Sequence, residues 1–210
     1  MLVTPSLVGW WRFEGNANDS SGKGNNGTVY GSSLDTGKFG RCYSFDGVND
    51  CVEMTTTGLY TGTVTLEAWT KTSSTKDYQA VLGSDVVEKY EILLKTSTYP
   101  AKIEVNLKTS NCVQWNDVLP QGQWVHIVVV AQNEVQWKLY LNGVDKGTPD
   151  IVGGTYQVDG TGVSCVYIGK MRSDTTFSHA GLIDEVRIYN RALSAEDIRR
   201  LYLGLHPLNK

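Results

Sequence analysis

Asp184 is the residue whose placement most demands chemistry. The stretch 181–190 reads as a strand in which Leu182, Asp184, Val186 and Ile188 share one face. Ile183, Glu185, Arg187 and Tyr189 share the other. A carboxylate in phase with three apolar side chains is costly unless hydrogen bonds or a cation compensate it. Two readings follow. Asp184 sits at the strand's rim and accepts backbone N–H groups, or it is a calcium ligand. Other constellations carry less. Glu88 and Glu91 are the nearest carboxylate pair, but their odd spacing puts them on opposite strand faces. Glycoside hydrolysis needs two acids that face one another. His126 sits amid Val and Ile and reads as a packed strand histidine, because a general base needs a partner within reach. No Gly-x-Ser-x-Gly motif is present.

Aromatic residues beside amides and acids suggest sugar recognition, which combines apolar walls with a few polar groups. Trp115, next to Asn116 and Asp117, falls in a stretch that reads as a loop and is the best single candidate. Trp69 shares a strand face with Glu67 and Lys71, and Tyr140 shares one with Lys138 and Asn142. Trp10, Trp11, Trp124 and Trp137 read as core, where strand aromatics mostly go. Cys42, Cys51, Cys112 and Cys165 include no C-x-x-C spacing for zinc. They allow two disulfides in three connectivities, or four free thiols packed as small hydrophobes. Asn18-Asp-Ser20 and Asn26-Gly-Thr28 are glycosylation acceptors in a compartment that permits it.

The elements that must position these residues are strands. Alternating or apolar runs occur at 7–14, 28–30, 40–46, 51–54, 63–71, 80–82, 89–95, 102–108, 124–131, 135–141 and 163–168. Gly47–Asp50 looks like a hairpin link, and Asn142–Gly143 is a strong two-residue turn signal. After 181–190 comes the one convincing helix. Ser194 is its N-cap with Asp197 three residues on, Leu193 and Ile198 are placed for a hydrophobic staple, and Gly204 can close it. Many short strands and a single helix predict a two-sheet antiparallel β-sandwich. No linker or low-complexity tract divides the 210 residues, so one domain is expected over 1–210 with its core at 7–204.

Composition narrows the function. Lys plus Arg number 19 against 22 for Asp plus Glu, and the longest basic run is Arg199–Arg200. That argues against nucleic acid as a partner. No run approaches the ~20 apolar residues of a membrane-spanning helix, so membrane insertion is not expected. The N-terminus has no charged start or apolar signal core. Either the protein is made without export or this is part of a longer exported chain.

Several short motifs together resemble the laminin-G-like domains of the concanavalin A-like lectin/glucanase superfamily. They are Trp10-x-x-Phe13-Glu14, Asp19-x-Ser21-Gly22, Ser44-Phe45-Asp46-Gly47, Trp124-Val125-His126, Leu139 to Gly143, Tyr167-Ile168-Gly169 and Gly181 to Ser194. The resemblance spans residues 7 to 204. It implies a jelly roll of two curved sheets with the first and last strands as neighbours. It also implies calcium near those strands, and binding more often than catalysis. On that basis Glu14, Asp19 and Asp46 join Asp184 as candidate calcium ligands, although turn aspartates commonly bond their own backbone. Trp115, Trp69, Glu67 and Tyr140 are the candidate ligand-binding residues. The expectation is a non-catalytic, calcium-stabilised, lectin-like domain that binds glycan or glycoprotein within a larger secreted, surface or virion-tail protein. A polysaccharide-cleaving enzyme of the same fold and a structural adhesion module are the alternatives. The Glu-x-Asp-x-x-Glu strand of the related glucanases is absent, and Cys42 and Cys51 depart from the residues usual in the family.

Overall fold

The computed structural model describes every residue except 1–5, 56–61, 87, 88, 90, 96–101, 108–111, 118, 134, 172–174 and 208–210. Its strands, in chain order, are β1 (Leu7–Trp11), β2 (Gly27–Tyr30), β3 (Ser33–Thr36), β4 (Arg41–Asp46), β5 (Cys51–Thr55) and β6 (Thr63–Thr72). There follow β7 (Gln79–Ser84), β8 (Glu91–Lys95), β9 (Lys102–Asn106), β10 (Cys112–Trp115), β11 (Val125–Gln132) and β12 (Gln136–Leu141). The last are β13 (Val144–Asp145), β14 (Ile151–Gly153), β15 (Cys165–Ile168) and β16 (Ala180–Tyr189), and then the helix α1 (Ala195–Tyr202). One sheet runs β13-β12-β11-β6-β16-β4-β3, with β1 also on β16. The second runs β14-β10-β9-β8-β7-β15-β5-β2. The first and last strands are neighbours, Leu7 opposite Tyr189 and Trp11 opposite Val186.

Alternation builds the core between the sheets. From the first sheet come Val64, Leu66, Ala68, Ile127, Val129, Trp137 and Leu139, and from the second Val52, Met54, Ile92, Leu94, Ile103, Val105, Val166 and Ile168. The in-between residues of the first sheet point outward, where Val128, Val130, Tyr140 and Tyr189 meet Ile198 and Leu201 of α1. The helix therefore docks on the outside of the sandwich.

β16 departs from the expected alternation. Asp184 pairs with Trp69 and Arg187 with Glu67 of β6, so Glu185 and Val186 together oppose Ala68. This is a β-bulge, and Glu185 takes a φ of 51° to make it. Directly paired residues share a face. Asp184 and Arg187 therefore lie on the outer face with Trp69 and Glu67, while Ile183, Val186 and Ile188 fill the core. The grouping of Asp184 with Val186 and Ile188 is thus corrected: one inserted residue changes the phase of the strand.

Two further expectations change. Gly47–Asp50 is not a hairpin, because β4 and β5 belong to different sheets and the link carries the chain across the sandwich. Residues 112–115, in a stretch read as loop, form β10. The Asn142–Gly143 turn forms as expected, with φ of 51° and 76° joining β12 to β13. All four cysteines are free thiols. Burial pushes the Cys42 thiol up to about 12 and raises Cys51 as well, so both stay neutral.

The start of α1 follows from its residue types. Ser194 Oγ accepts the Asp197 N–H at 3.1 Å, and Asp197 Oδ2 accepts the Ser194 N–H at 3.3 Å. Arg191 Nη1 stands 3.1 Å from the same carboxylate oxygen. Replacing Ser194 by Ala removes the side-chain cap and is expected to lower stability by about 1 kcal/mol, read by urea denaturation.

Candidate functional site

The outer face of the first sheet holds a buried charge cluster. Arg187 Nη1 donates to Glu67 Oε1 at 2.6 Å, and Nη2 donates to Glu185 Oε2. The bulge at Glu185 makes this possible, because it turns Arg187 to the outer face opposite Glu67 while Val186 stays in the core. His126 Nε2 lies 3.0 Å from Glu67 Oε1, and Trp10 Nε1 donates to Glu185 Oε2 at 2.8 Å. Burial opposes the charge on Arg187, but Glu67 and Glu185 outweigh it and raise its pKa above the ordinary guanidinium value. Buried charges persist when paired in this way.

This packing places the expected sugar-binding residues away from solvent. Trp69 is 1% exposed, in a cluster with the His126 and Tyr202 rings, whose centroids are 4.9 and 5.6 Å from its own and 6.1 Å apart. Phe39 meets its edge and Lys38 Nζ stands 4.5 Å from its centroid. Glu67 is held by Arg187 and His126, and Tyr140 lies under α1. Trp115 is 1% exposed, with its ring in the core and Nε1 donating to Gly147 O at 3.2 Å. Its expected place on an exposed loop is corrected: as the inward residue of β10 it packs like any strand aromatic. Trp69 and Tyr140 do point out of the sandwich as read, but the C-terminal helix covers them.

The candidate metal ligands divide. Asp19 accepts N–H groups from Trp10, Ser21 and Asn25 at 3.0, 2.8 and 3.0 Å, and the Ser21 hydroxyl at 2.7 Å. It ties the 16–26 loop to β1. Asp46 Oδ1 accepts the Val48 N–H at 2.7 Å within its own turn. Glu14 and Asp184 instead converge on the Gly37–Arg41 turn. Glu14 Oε2 accepts the Arg41 N–H at 3.2 Å, and Asp184 Oδ2 accepts the Phe39 N–H at 3.0 Å. A Cβ on Gly37 would stand 2.7 Å from Asp184 Oδ2, and one on Gly40 only 2.2 Å from Glu14 Oε1. Asp184 Oδ1 is buried without a hydrogen-bond partner. Burial pushes this carboxyl up to about 7, helped by Glu185 and resisted by the backbone N–H groups. The donor set fits calcium in one respect, an unmet oxygen beside a second carboxylate on a turn that could add carbonyls. It does not fit as the expected four-carboxylate set. Among the described residues, no three His, Cys, Asp or Glu side chains lie close enough to hold an ion between them.

A different polar row lies on the outward face of the second sheet, with Glu91, Glu104 and Asn106 buried and Gln114 half-buried. Glu91 sits opposite Asn106, and Glu104 opposite Gln114, on adjacent strands β8, β9 and β10. Asn106 Nδ2 donates to Glu91 Oε2 at 3.1 Å and to Glu104 Oε1 at 3.3 Å. Gln114 Nε2 donates to Glu104 Oε2 at 2.6 Å. Asn106 Oδ1 is buried with no hydrogen-bond partner. Gln114 and Cys112 are half-buried at the accessible end of the row, and Tyr167 and Glu53 are half-buried further across the same sheet. Met171 and Phe177 pack against the neighbouring Ala80 and Leu93 on this side. Sequence reasoning placed charge and amide outward along 102–108 but left β10 unread. The alignment of Glu104 with Gln114 was therefore invisible.

The laminin G family profile described as the concanavalin A-like lectin/glucanases superfamily matches residues 46–199. No curated protein sequence matches the chain. Among solved structures, it is similar to domain 4 of AbnA, a GH43 extracellular arabinanase from Geobacillus stearothermophilus, in complex with arabinotriose. The identity is 21%, the TM-score 0.72, and 95% of this chain and 99% of that chain are covered. It is similar to the binding domain of Paraclostridial Mosquitocidal Protein 1 at 15% identity and TM-score 0.74, with 97% and 53% covered. It is also similar to the botulinum neurotoxin serotype D ligand binding domain in complex with N-acetylneuraminic acid, at 15% identity and TM-score 0.68, with 95% and 51% covered. The chain thus spans about half of each toxin domain. At these identities the likeness is one of fold.

Two measurements check the site's energetics. Arg187→Met strands Glu67 and Glu185 and is expected to cost about 3–5 kcal/mol in urea denaturation, with part recovered when both glutamates become Gln. For Asp184 the native carboxyl, at about 7, binds a proton that the unfolded chain, near 3.8, has released. In metal-free protein its contribution is fully present below pH 3.8 and is lost as pH rises toward 7, by at most about 1.4 kcal/mol per pH unit. His179, held down at about 3 by burial, gives the opposite slope between there and 6.5. The Asp184 contribution is therefore read as the difference between wild type and Asp184→Asn, and a flat difference across pH 4–7 would refute it.

Proposed function

The chain belongs to the concanavalin A-like lectin/glucanases superfamily as a laminin G-like sandwich, and from that premise we propose that it is a carbohydrate-recognition domain. The observation that carries this reading is the row Gln114–Glu104–Asn106–Glu91 on the outward face of the second sheet. Gln114 is the half-buried, accessible member of this row, and the buried Glu104, Asn106 and Glu91 behind it hold its amide in place. Their mutual hydrogen bonds set their orientation before a ligand arrives. The arabinotriose complex of the AbnA domain and the N-acetylneuraminic acid complex of the toxin domain support glycan as the ligand class. The first sheet offers less, because α1 covers its outer aromatics. The domain acts as a binding module within a longer secreted or surface protein and engages a glycan, free or on a glycoprotein. Support for that setting is the extracellular enzyme and toxins whose domains share the fold.

One observation favours a second reading, polysaccharide hydrolysis. Glu91 and Glu104 both bond the single Asn106 amide nitrogen, so their oxygens lie within about 6.5 Å of each other, near the separation that two-carboxylate hydrolysis uses, but both side chains are buried and a substrate would have to open the face to reach them. Calcium is the proposed stabiliser, held by Asp184 Oδ1 and Glu14 with carbonyls of the Gly37–Arg41 turn. Bound there, it would neutralise the buried carboxylate and pin the first and last strands to that turn.

Titration with linear arabino-oligosaccharides and a panel of plant and bacterial glycans, followed by calorimetry, tests the main reading. At least one glycan is expected to bind, and Gln114→Ala is expected to weaken it at least tenfold without lowering the melting temperature. Binding that survives Gln114→Ala unchanged would move the site elsewhere. New reducing ends that appear with wild type but not with Glu104→Gln would establish hydrolysis instead. For calcium, exhaustive chelation is expected to lower the melting temperature by several degrees, and Asp184→Ala to abolish that response. An identical melting curve before and after chelation would rule the ion out.

A further inference from the structure

Beside the buried charge cluster lies a cleft of about 190 Å³ that none of these roles uses. Trp10, Arg12, Phe39, Glu185, Arg187, Gly204 and His206 line it. Its floor is the end of β1 and the bulge of β16, and its rim is the chain that follows α1. The cluster alone does not need such a space. Arg187 is 7% exposed and satisfied by Glu67 and Glu185. Arg12 differs. Its side chain is 43% exposed, its Nε is 3.7 Å from Glu185 Oε1, and that nitrogen has no hydrogen-bond partner although solvent does not reach it. Its guanidinium stands 5.2 Å from the Trp10 centroid, and that of Arg187 stands 4.6 Å from the same ring. The indole N–H is committed to Glu185, so Trp10 fixes the wall and leaves the Arg12 fork to face the space.

The charge along this wall is uneven. Two guanidiniums face the cleft against one carboxylate, and that carboxylate is already shared by Arg187 and Trp10. His206 reports the resulting field. Burial lowers its pKa, and Arg187, Arg12 and Arg200 lower it further against the opposing pull of Glu185. The ring stands edge-on to Trp10 at 5.2 Å and remains exposed, available as a hydrogen-bonding group at the rim. With Nε turned to Glu185, the accessible end of the Arg12 guanidinium is its terminal N–H groups, which can grip a planar anion with two parallel bonds. Phe39 and the Trp10 edge provide apolar walls suited to a ring rather than to a bare ion.

We propose that this cleft is a second ligand site, separate from the row on the other sheet, and that it takes the carboxylate of a small acidic sugar of about one ring. Arg12 grips the carboxylate, His206 bonds a neighbouring hydroxyl, and Trp10 with Phe39 flank the ring. Uronic acids have the required combination of planar anion and short, hydroxyl-rich ring.

The test uses D-galacturonate and D-galactose as probes against the whole chain, with the Trp10 indole N–H followed by NMR. Galacturonate is expected to shift that signal saturably, galactose to leave it in place, and added salt to weaken the response. Arg12→Gln is expected to reduce affinity at least tenfold and His206→Ala several-fold. Arg199→Gln, on the exposed face of α1, is expected to bind as wild type does. Because Gln114 lies on the other sheet, Gln114→Ala is expected to leave this response intact, so failure of the proposed glycan row and failure of the cleft are separable. An equal shift with galactose, wild-type affinity in Arg12→Gln, or no shift with galacturonate at tens of millimolar would overturn the proposal.

Discussion

Between Asp184 and Arg187 the last long strand carries one more residue than the strand beside it, and Glu185 adopts a left-handed conformation to accommodate it. Most of the outer face of the first sheet follows from this irregularity. Without the bulge, Val186 would point outward and Arg187 inward, placing a guanidinium in the apolar core. With it, Val186 and Ile188 stay inside while Glu185 and Arg187 emerge together and close a charge cluster with Glu67. A non-glycine residue at positive φ is uncommon, and here the trapped ion pairs and the flanking β1 and β6 ladders hold it in place.

That cluster also explains the helix. Its charges are viable because Trp10, Tyr140, Tyr189 and the apolar side of α1 exclude water around them. In turn the helix needs a partly apolar surface, which Val128 and Val130 supply. The outer face of the first sheet is consequently committed to internal packing over most of its area. What remains there is the narrow cleft at Arg12. The helix does not reach the second sheet, where Gln114 is half-buried and Asn106, Glu91 and Glu104 are buried.

The sequence made the sandwich legible and its faces only partly so. β6, β9 and β12 alternate, β11 is apolar on both faces as a central strand should be, and the Ser194–Asp197 cap is a local device that needs no tertiary information. The bulge was not legible, because an extra residue leaves a two-residue rhythm looking intact from within one strand. β10 was missed for another reason: Cys112 to Trp115 is short and polar on one side, and its strand character comes from the ladders to β9 and β14. That omission turned Trp115 from a core residue into a supposed exposed one. The clean turn signal at Asn142–Gly143 survived because its dihedral demand is local. Gly47–Asp50 misled because a tight link looks the same whether the chain doubles back or crosses to the facing sheet. Asp184 was singled out for the right property, burial, although it lies on the other side of the sheet from the face first assigned to it.

The position of β16 has a kinetic implication. It sits centrally in its sheet, with β6 on one side and β4 and β1 on the other, although it is the last strand of the sandwich in chain order. Leu7 must wait for Tyr189 before its ladder can form. During synthesis, then, β1, β4 and β6 have no shared partner and carry unpaired edges until β16 emerges. Pairing across so much sequence is slow, and a nascent chain in this condition is exposed to aggregation. Efficient production of this domain therefore depends on whatever shields those edges until β16 emerges from the ribosome.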